Sequence, residues 1–456
     1  MKILFISLGC DKNLVDTEMM LGMLVQRGFS ITDDETEADA VVVNTCCFIN
    51  DAKQESINTL LENAARLEAQ AEELRKSGEI KALIAAGCLA QRYQDEIQRE
   101  IPEVDAIVGT TAIDAVVTAI EGVLSGNSRN YLEDINRKPV YDHEDWKRIV
   151  TTGGHYAYLK IAEGCDKHCS YCIIPKVRGN YRSIPIDSLV REAERLVAFG
   201  AKEIILVAQE TTLYGVDLYG EKRLPDLLHR LCAIPGIYWV RILYCYPEEI
   251  TDELIETIRS EQKVCDYLDI PIQHASDTIL KRMGRRTSRQ ELADMIAKLR
   301  ERIPDICLRT TLITGFPGET QEDHESLLAF VDEMEFDRLG VFTYSPEEDT
   351  PAALFEDQID EQVKFDRQAD IMELQQEIAF EKAQETVGRT LLVMVEGKVP
   401  DEHAYVARSY KDAPNVDGFV FVQTGRELMT GDFVRVRITG SHEYDLIGEI
   451  EDEFTE

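Results

Sequence analysis

The 456-residue chain is 44% hydrophobic and 29% charged with no low-complexity tract, which excludes wholesale disorder and suggests roughly three domains. Forty-nine Lys+Arg against 85 Asp+Glu leave a net charge of -36, which opposes non-specific attraction to nucleic acid or anionic membrane; it suits a basic macromolecular partner, or simply solubility. No stretch reads as a membrane span, and the opening MKILFISLGC runs into Cys10-Asp11-Lys12 without a signal-cleavage pattern, so a cytoplasmic location is expected.

In chain order, residues 1–126 alternate apolar runs with helical patterns: KILFISLGC, TEMMLGMLVQRG, ADAVVVNTC, the long ESINTLLENAARLEAQAEELRKSG, KALIAAGC and DAIVG. That rhythm predicts a small parallel α/β sheet. Residues 127–150 are polar and read as a linker. Over 151–385 the alternation resumes, with candidate strands YAYLKIAEGC, KEIILVAQ, YWVRILYC, DYLDIPIQ, CLRTTLITG and RLGVFTYS. The expected fold class is therefore α/β, with an incomplete β/α barrel here or, on pattern alone, a doubly wound sheet. After a charged amphipathic helix over 361–386, residues 386–456 alternate apolar and polar positions and predict a small β-barrel.

Eleven cysteines in a reducing compartment point to metal or cluster ligation rather than disulfides. Cys165, Cys169 and Cys172 form a CxxxCxxC loop just beyond a predicted strand. Three thiolates suit a cubane iron-sulfur cluster with one iron left open, and that iron can take the amino and carboxylate groups of S-adenosylmethionine. A zinc knuckle is the competing reading, but His168 lies inside the loop where it would strain a tetrahedron. Cys10, Cys46 and Cys88 each end an apolar strand. Parallel strands share one carboxyl edge, so these three thiols are expected to converge on a second cluster, although each taken alone reads as a packing residue. Cys47, beside Cys46, should point away, and Cys232, Cys245, Cys265 and Cys307 read as core.

Other residues fall at predicted strand ends in the central section, among them Gln273 and His274. Glu210 can accept hydrogen bonds from a methionine ammonium, Tyr171 can pack on an adenine ring, and Gly315 lets backbone approach that ring; ordinary turn chemistry explains each equally well. Arg182, Lys281, Arg282, Arg285 and Arg286 form basic patches, read mostly as solvated helix faces.

With the CxxxCxxC loop, the strand-end cysteines and the terminal barrel in view, the chain resembles the radical S-adenosylmethionine methylthiotransferases over essentially its whole length. The strings SLGCDKNLVDTE, CIIPKVRG, AQETTLYGVDLYG and PIQHASDTILKRMGR resemble the RimO branch. The resemblance implies a methylthiotransferase domain at 1–126, a linker at 127–150, a radical domain at 151–385 and a TRAM barrel at 386–456. It implies two 4Fe-4S clusters, an auxiliary one on Cys10, Cys46 and Cys88 and a radical one on Cys165, Cys169 and Cys172, with S-adenosylmethionine used both as methyl donor and as radical source. The implied reaction adds a methylthio group to the β-carbon of an aspartate of small-subunit ribosomal protein S-twelve, with an unidentified sulfur donor and electron donor as further partners and no membrane. Two departures from the family pattern stand out: a long helical insertion over 62–77, and Cys47 where a small residue is usual.

Two other functions compete. The sister branch modifies an isopentenyl-adenosine in tRNA, but its strings around the first and fourth ligands read differently. The terminal barrel here also has seven Lys+Arg against fourteen Asp+Glu, a poor grip for phosphate. A non-catalytic iron-sulfur binding or sensing protein is the second alternative.

Overall fold

Strand AVVVNT is buried at every position, as a β-branched run covered on both faces must be. It is β3 (Ala40–Thr45), centre of a five-stranded parallel sheet in the order β2-β1-β3-β4-β5, with β1 (Lys2–Ser7), β2 (Ser30–Thr32), β4 (Ala82–Ala86) and β5 (Ala106–Val108). Helix Asp11–Arg27 covers one face through Met20, Met23 and Leu24. It ends at Gly28, whose φ of 100° only glycine adopts without strain. The computed structural model describes residues 1–74, 82–138, 148–400 and 402–451. The expected insertion enters helix Asn50–Leu74, and its residues 75–77 lie outside the described residues.

The second sheet holds β6 (Tyr156–Lys160), β9 (Glu203–Val207), β10 (Trp239–Ile242), β11 (Val264–Asp269), β12 (Cys307–Thr314) and β13 (Arg338–Thr343) in the order β13-β12-β11-β10-β9-β6; the short β7 (Ala162–Glu163) and β8 (Arg182–Ser183) pair with each other. Each strand lies beside its predecessor with no reversal of order. A doubly wound sheet requires a reversal, so this is the incomplete β/α barrel. Helices such as Ile186–Ala198 and Arg289–Arg302 pack on it.

Strands β14 (Thr390–Lys398), β15 (Ala404–Ser409), β16 (Val420–Gln423), β17 (Phe433–His442) and β18 (Asp445–Ile450) close a barrel in the order β14-β15-β16-β18-β17. Its loop 409–417 plugs the amino ends of the central strands: Arg241 donates to the Tyr410 carbonyl at 2.6 Å, Arg338 pairs with Asp412 at 2.6 Å, and the Tyr267 hydroxyl donates to Asp417 at 2.8 Å. Glu203, first in β9, is buried between Arg241 at 2.7 Å and Arg408 of the terminal barrel at 2.8 Å.

The polar stretch expected to be a linker is partly built in. Tyr131 bridges to Val108, Arg137 forks onto Asp114, and Asn136 accepts from the Asn180 amide; residues 139–147 of that stretch lie outside the described residues.

Candidate active site

Because β1, β3 and β4 are adjacent and parallel, the residues following them share one edge. Cys10 precedes helix Asp11–Arg27, Cys46 directly follows β3, and Cys88 is the second residue of helix Gly87–Arg92. The loops are in close contact: a side chain at Gly9 would come within 2.7 Å of the Cys46 sulfur, so glycine is required there. Asn13 ties them together, its Nδ2 donating to the carbonyls of Leu8 at 2.9 Å and Thr45 at 3.0 Å. Arg178 Nε donates to the Cys88 sulfur at 3.3 Å. Burial raises the Cys88 thiol strongly while Arg178 draws it back down. Cys47 is buried in the apolar cluster that holds Leu60, Ala85 and also Cys88. Burial pushes its thiol up to about 11, with Arg92 opposing.

The second set lies between β7 and helix Ile174–Arg178. Cys165 and Cys169 are buried and Cys172 half-buried. Burial first, and then neighbouring Cys169, hold the Cys172 thiol up, and burial pushes Cys165 up to about 12. The Tyr246 hydroxyl is 3.2 Å from the Cys169 sulfur. His168 is exposed in the left-handed region at φ 52°, unlike a fourth ligand turned inward.

Glu210, just past β9, is fully buried. Its Oε1 accepts from the amide of Thr212 at 2.8 Å and from the Thr212 hydroxyl, while Oε2 has no partner. Burial raises its carboxyl to about 7, against the pull of Thr212 and Lys167. Tyr171 is half-buried, edge-on to Phe316 at 6.5 Å. Gly315 has φ 67°, and a Cβ there would meet the Lys364 side chain at 2.2 Å; the missing side chain makes room for a lysine stem from helix Glu361–Thr386.

The expectation of solvated faces holds for three of the five basic residues and fails for two. Lys281 and Arg286 are exposed, and Arg282 is half-exposed and pairs with Asp357 at 2.7 Å, but Arg182 and Arg285 are buried. Arg285 lies 4.2 Å over the Tyr246 ring and gives Nη2 to the Pro271 carbonyl at 2.8 Å, while its Nε and Nη1 find no partner. The Arg282–Arg285 turn is held on the cysteine loop, since Ser170 donates to the carbonyls of Met283 at 2.9 Å and Arg282 at 2.8 Å. Sequence reasoning missed both Arg178 and the burial of Arg285. A weak signal for Arg178 was its place six residues after the last thiol of the motif.

Among the described residues no three His, Cys, Asp or Glu side chains converge tightly enough for one metal ion. Two all-sulfur sets of three, each with a buried cation nearby, are instead the donor chemistry of iron-sulfur clusters, whose ligands spread over a cube. The partnerless Glu210 oxygen fits an ammonium beside the second set.

Three family models match: the Radical SAM superfamily over 159–331, the uncharacterized protein family UPF0004 over 2–109 and the TRAM domain over 387–450. The chain is 61% identical over 451 residues to the ribosomal protein uS12 methylthiotransferase RimO of Lachnoclostridium phytofermentans, covering 99% of this chain and 100% of that protein. It is 49% identical to the namesake of Geobacter sulfurreducens, covering 98% of each. The chain belongs to the radical S-adenosylmethionine methylthiotransferases, in the RimO branch. As a member it is a radical enzyme and a transferase, using an iron-sulfur cluster and S-adenosylmethionine, and the non-catalytic alternative falls. A solved structure, the radical S-adenosylmethionine methyltransferase TsrM of Kitasatospora setae with cobalamin and a 4Fe-4S cluster bound, has a similar fold at TM-score 0.55 and 13% identity, covering 88% of this chain and 80% of that one. Among the described residues no helix is long and apolar enough to cross a membrane.

Proposed function

We propose that this chain adds a methylthio group to the β-carbon of an aspartate of ribosomal protein uS12, using two 4Fe-4S clusters. The observation that carries the reading is the presence of two three-thiol sets at the carboxyl edges of two parallel sheets, in a chain 61% identical to an enzyme named for this substrate. When bound, a cluster on Cys165, Cys169 and Cys172 supplies the electron that cleaves S-adenosylmethionine, and one on Cys10, Cys46 and Cys88 supplies a seat for the sulfur to be methylated. A radical route is needed because no side-chain base removes a hydrogen from that carbon.

The chain's own residues bind and orient. Glu210 offers its free, desolvated oxygen to the methionine ammonium, where a charge-assisted hydrogen bond gains strength from the low dielectric. Tyr171, edge-on to Phe316, would pack on the adenine, and Gly315, whose side-chain space Lys364 occupies, would present backbone to the same ring. The buried guanidinium of Arg285 supplies positive charge beside Cys169. The acidic terminal barrel and the net charge of -36 suit a basic ribosomal protein better than tRNA. Such a target also implies a cytoplasmic enzyme with a sulfur donor and an electron donor as partners.

The test is an anaerobic assay containing both uS12 and tRNA, read by mass spectrometry. The expected result is a gain of one methylthio group on uS12, and product confined to tRNA would overturn the reading.

A further inference from the structure

Arg178 is 1% exposed and stands where the two domains meet. It ends helix Ile174–Arg178, the segment that leaves Cys172, yet all its polar contacts but one helical bond run to other elements. Nε donates to the Cys88 sulfur at 3.3 Å; Nη1 pairs with Asp16 at 2.7 Å and Glu163 at 3.2 Å; Nη2 donates to Asn13 Oδ1. That same Asn13 spans the carbonyls just ahead of Cys10 and Cys46. One guanidinium therefore reaches all three loops of the first thiol set, one through the sulfur itself and two through a single amide.

The contacts continue toward the second set. Glu163 accepts from Gln209 Nε2 at 3.0 Å, and Gln209 Oε1 accepts from the amide of Gly164 at 2.9 Å, one residue before Cys165. Lys160 joins Asp16 and Glu163 from below, the latter at 2.8 Å. Asp16 and Glu163 thus lie between Lys160 and Arg178, with buried Arg182 close enough to act on Glu163 as well. Cluster ligands are deprotonated, and the guanidinium is the cation placed to offset that charge at Cys88.

We propose that Arg178 is a positioning residue for the auxiliary cluster: its N–H to Cys88 raises the reduction potential there, and its carboxylate pairs hold the two thiol sets in fixed relation. This rests on the two-cluster reading. Hydrogen bonds and positive charge at a cluster's sulfurs favour the reduced form, which carries one more negative charge.

The experiment is a redox titration, followed by electron paramagnetic resonance, of reconstituted full-length protein. The Cys165→Ala, Cys169→Ala, Cys172→Ala triple variant keeps only the first thiol set, so the signal it retains identifies the auxiliary cluster. The variants are Arg178→Lys, which keeps a charge but cannot serve Cys88 and both carboxylates together, and Arg178→Met with Asp16→Asn, which removes the cation with one of its anions. In the double variant the reduced-to-oxidised ratio at the wild-type midpoint should fall at least tenfold, about 59 mV for one electron. Arg178→Lys should shift the same way by less, and loss of half the iron with the S-adenosylmethionine-sensitive signal intact would equally support the role. An unmoved auxiliary potential in either variant overturns it, and Arg178→Lys decides alone if the double variant does not fold. A wild-type protein with a single cluster would instead overturn the two-cluster reading.

Discussion

Glu210 and Thr212 form a closed pair: one carboxylate oxygen takes both the amide and the hydroxyl of Thr212, and the other is left buried with no partner. A desolvated oxygen without a donor costs free energy unless a ligand supplies one. Glu210→Gln should therefore weaken S-adenosylmethionine binding roughly tenfold to a hundredfold, the worth of about 1.5–3 kcal/mol for a charged hydrogen bond. Isothermal titration with the cofactor checks it, and unchanged affinity would remove Glu210 from the site.

The same residue gives a pH dependence. Its carboxyl is raised to about 7 and only the anion holds an ammonium, so affinity should be full above that value and decline as pH falls below it. The Gln variant should lack this decline. Binding measured from pH 6 to 8.5 separates the two.

Reconstituted protein should hold about eight irons as two four-iron clusters. Replacing Cys165, Cys169 and Cys172 with Ala should leave about half the iron and abolish S-adenosylmethionine cleavage, whereas Cys46→Ala should spare cleavage and stop methylthio transfer. Cys47→Ala should keep both clusters, because along an extended segment its side chain points away from that of Cys46. Iron analysis with a cleavage assay tests each; a Cys47 variant lacking the auxiliary cluster would show that the wrong neighbour had been chosen.

Glu203 joins the radical domain to the terminal barrel. Burial alone would raise its carboxyl, but Arg408 and Arg241 hold it below the usual range. A lowered carboxylate contributes stability that is present above its unfolded value of about 4.5 and lost as pH falls through the lower folded value. Glu203→Ala leaves the buried Arg241 guanidinium without its carboxylate and Arg408 with Glu396 alone, and should cost about 3–5 kcal/mol. Thermal unfolding at pH 7 checks this, and truncation near Thr386, which also removes Asp417 from Tyr267 and Asp412 from Arg338, should cost more still.

Binding to uS12 should weaken as salt is added, since attraction between an enzyme of charge -36 and a basic protein is screened over about 10 Å at 0.1 M. A dissociation constant unchanged between low and high salt would remove charge as the basis of recognition.

Read by itself, the chain determined what recurs at short range. The CxxxCxxC loop is local, and the strand-then-cysteine placement of Cys10, Cys46 and Cys88 is legible because a parallel sheet aligns its carboxyl ends. The six strands of the central section were legible as apolar runs of the right length, and the terminal barrel as alternation. Only the tertiary structure decided between barrel and doubly wound sheet, because strand order depends on which neighbours pair and not on the strands themselves. It alone buried Arg182 and Arg285, whose charges read as solvent-facing, and set Arg178 among carboxylates and a thiol from distant segments. It alone set Lys364 against Gly315 and the 409–417 loop under the central barrel. Periodicity records which face of an element is buried, but the partner that covers it lies up to hundreds of residues away and leaves no trace in the local pattern.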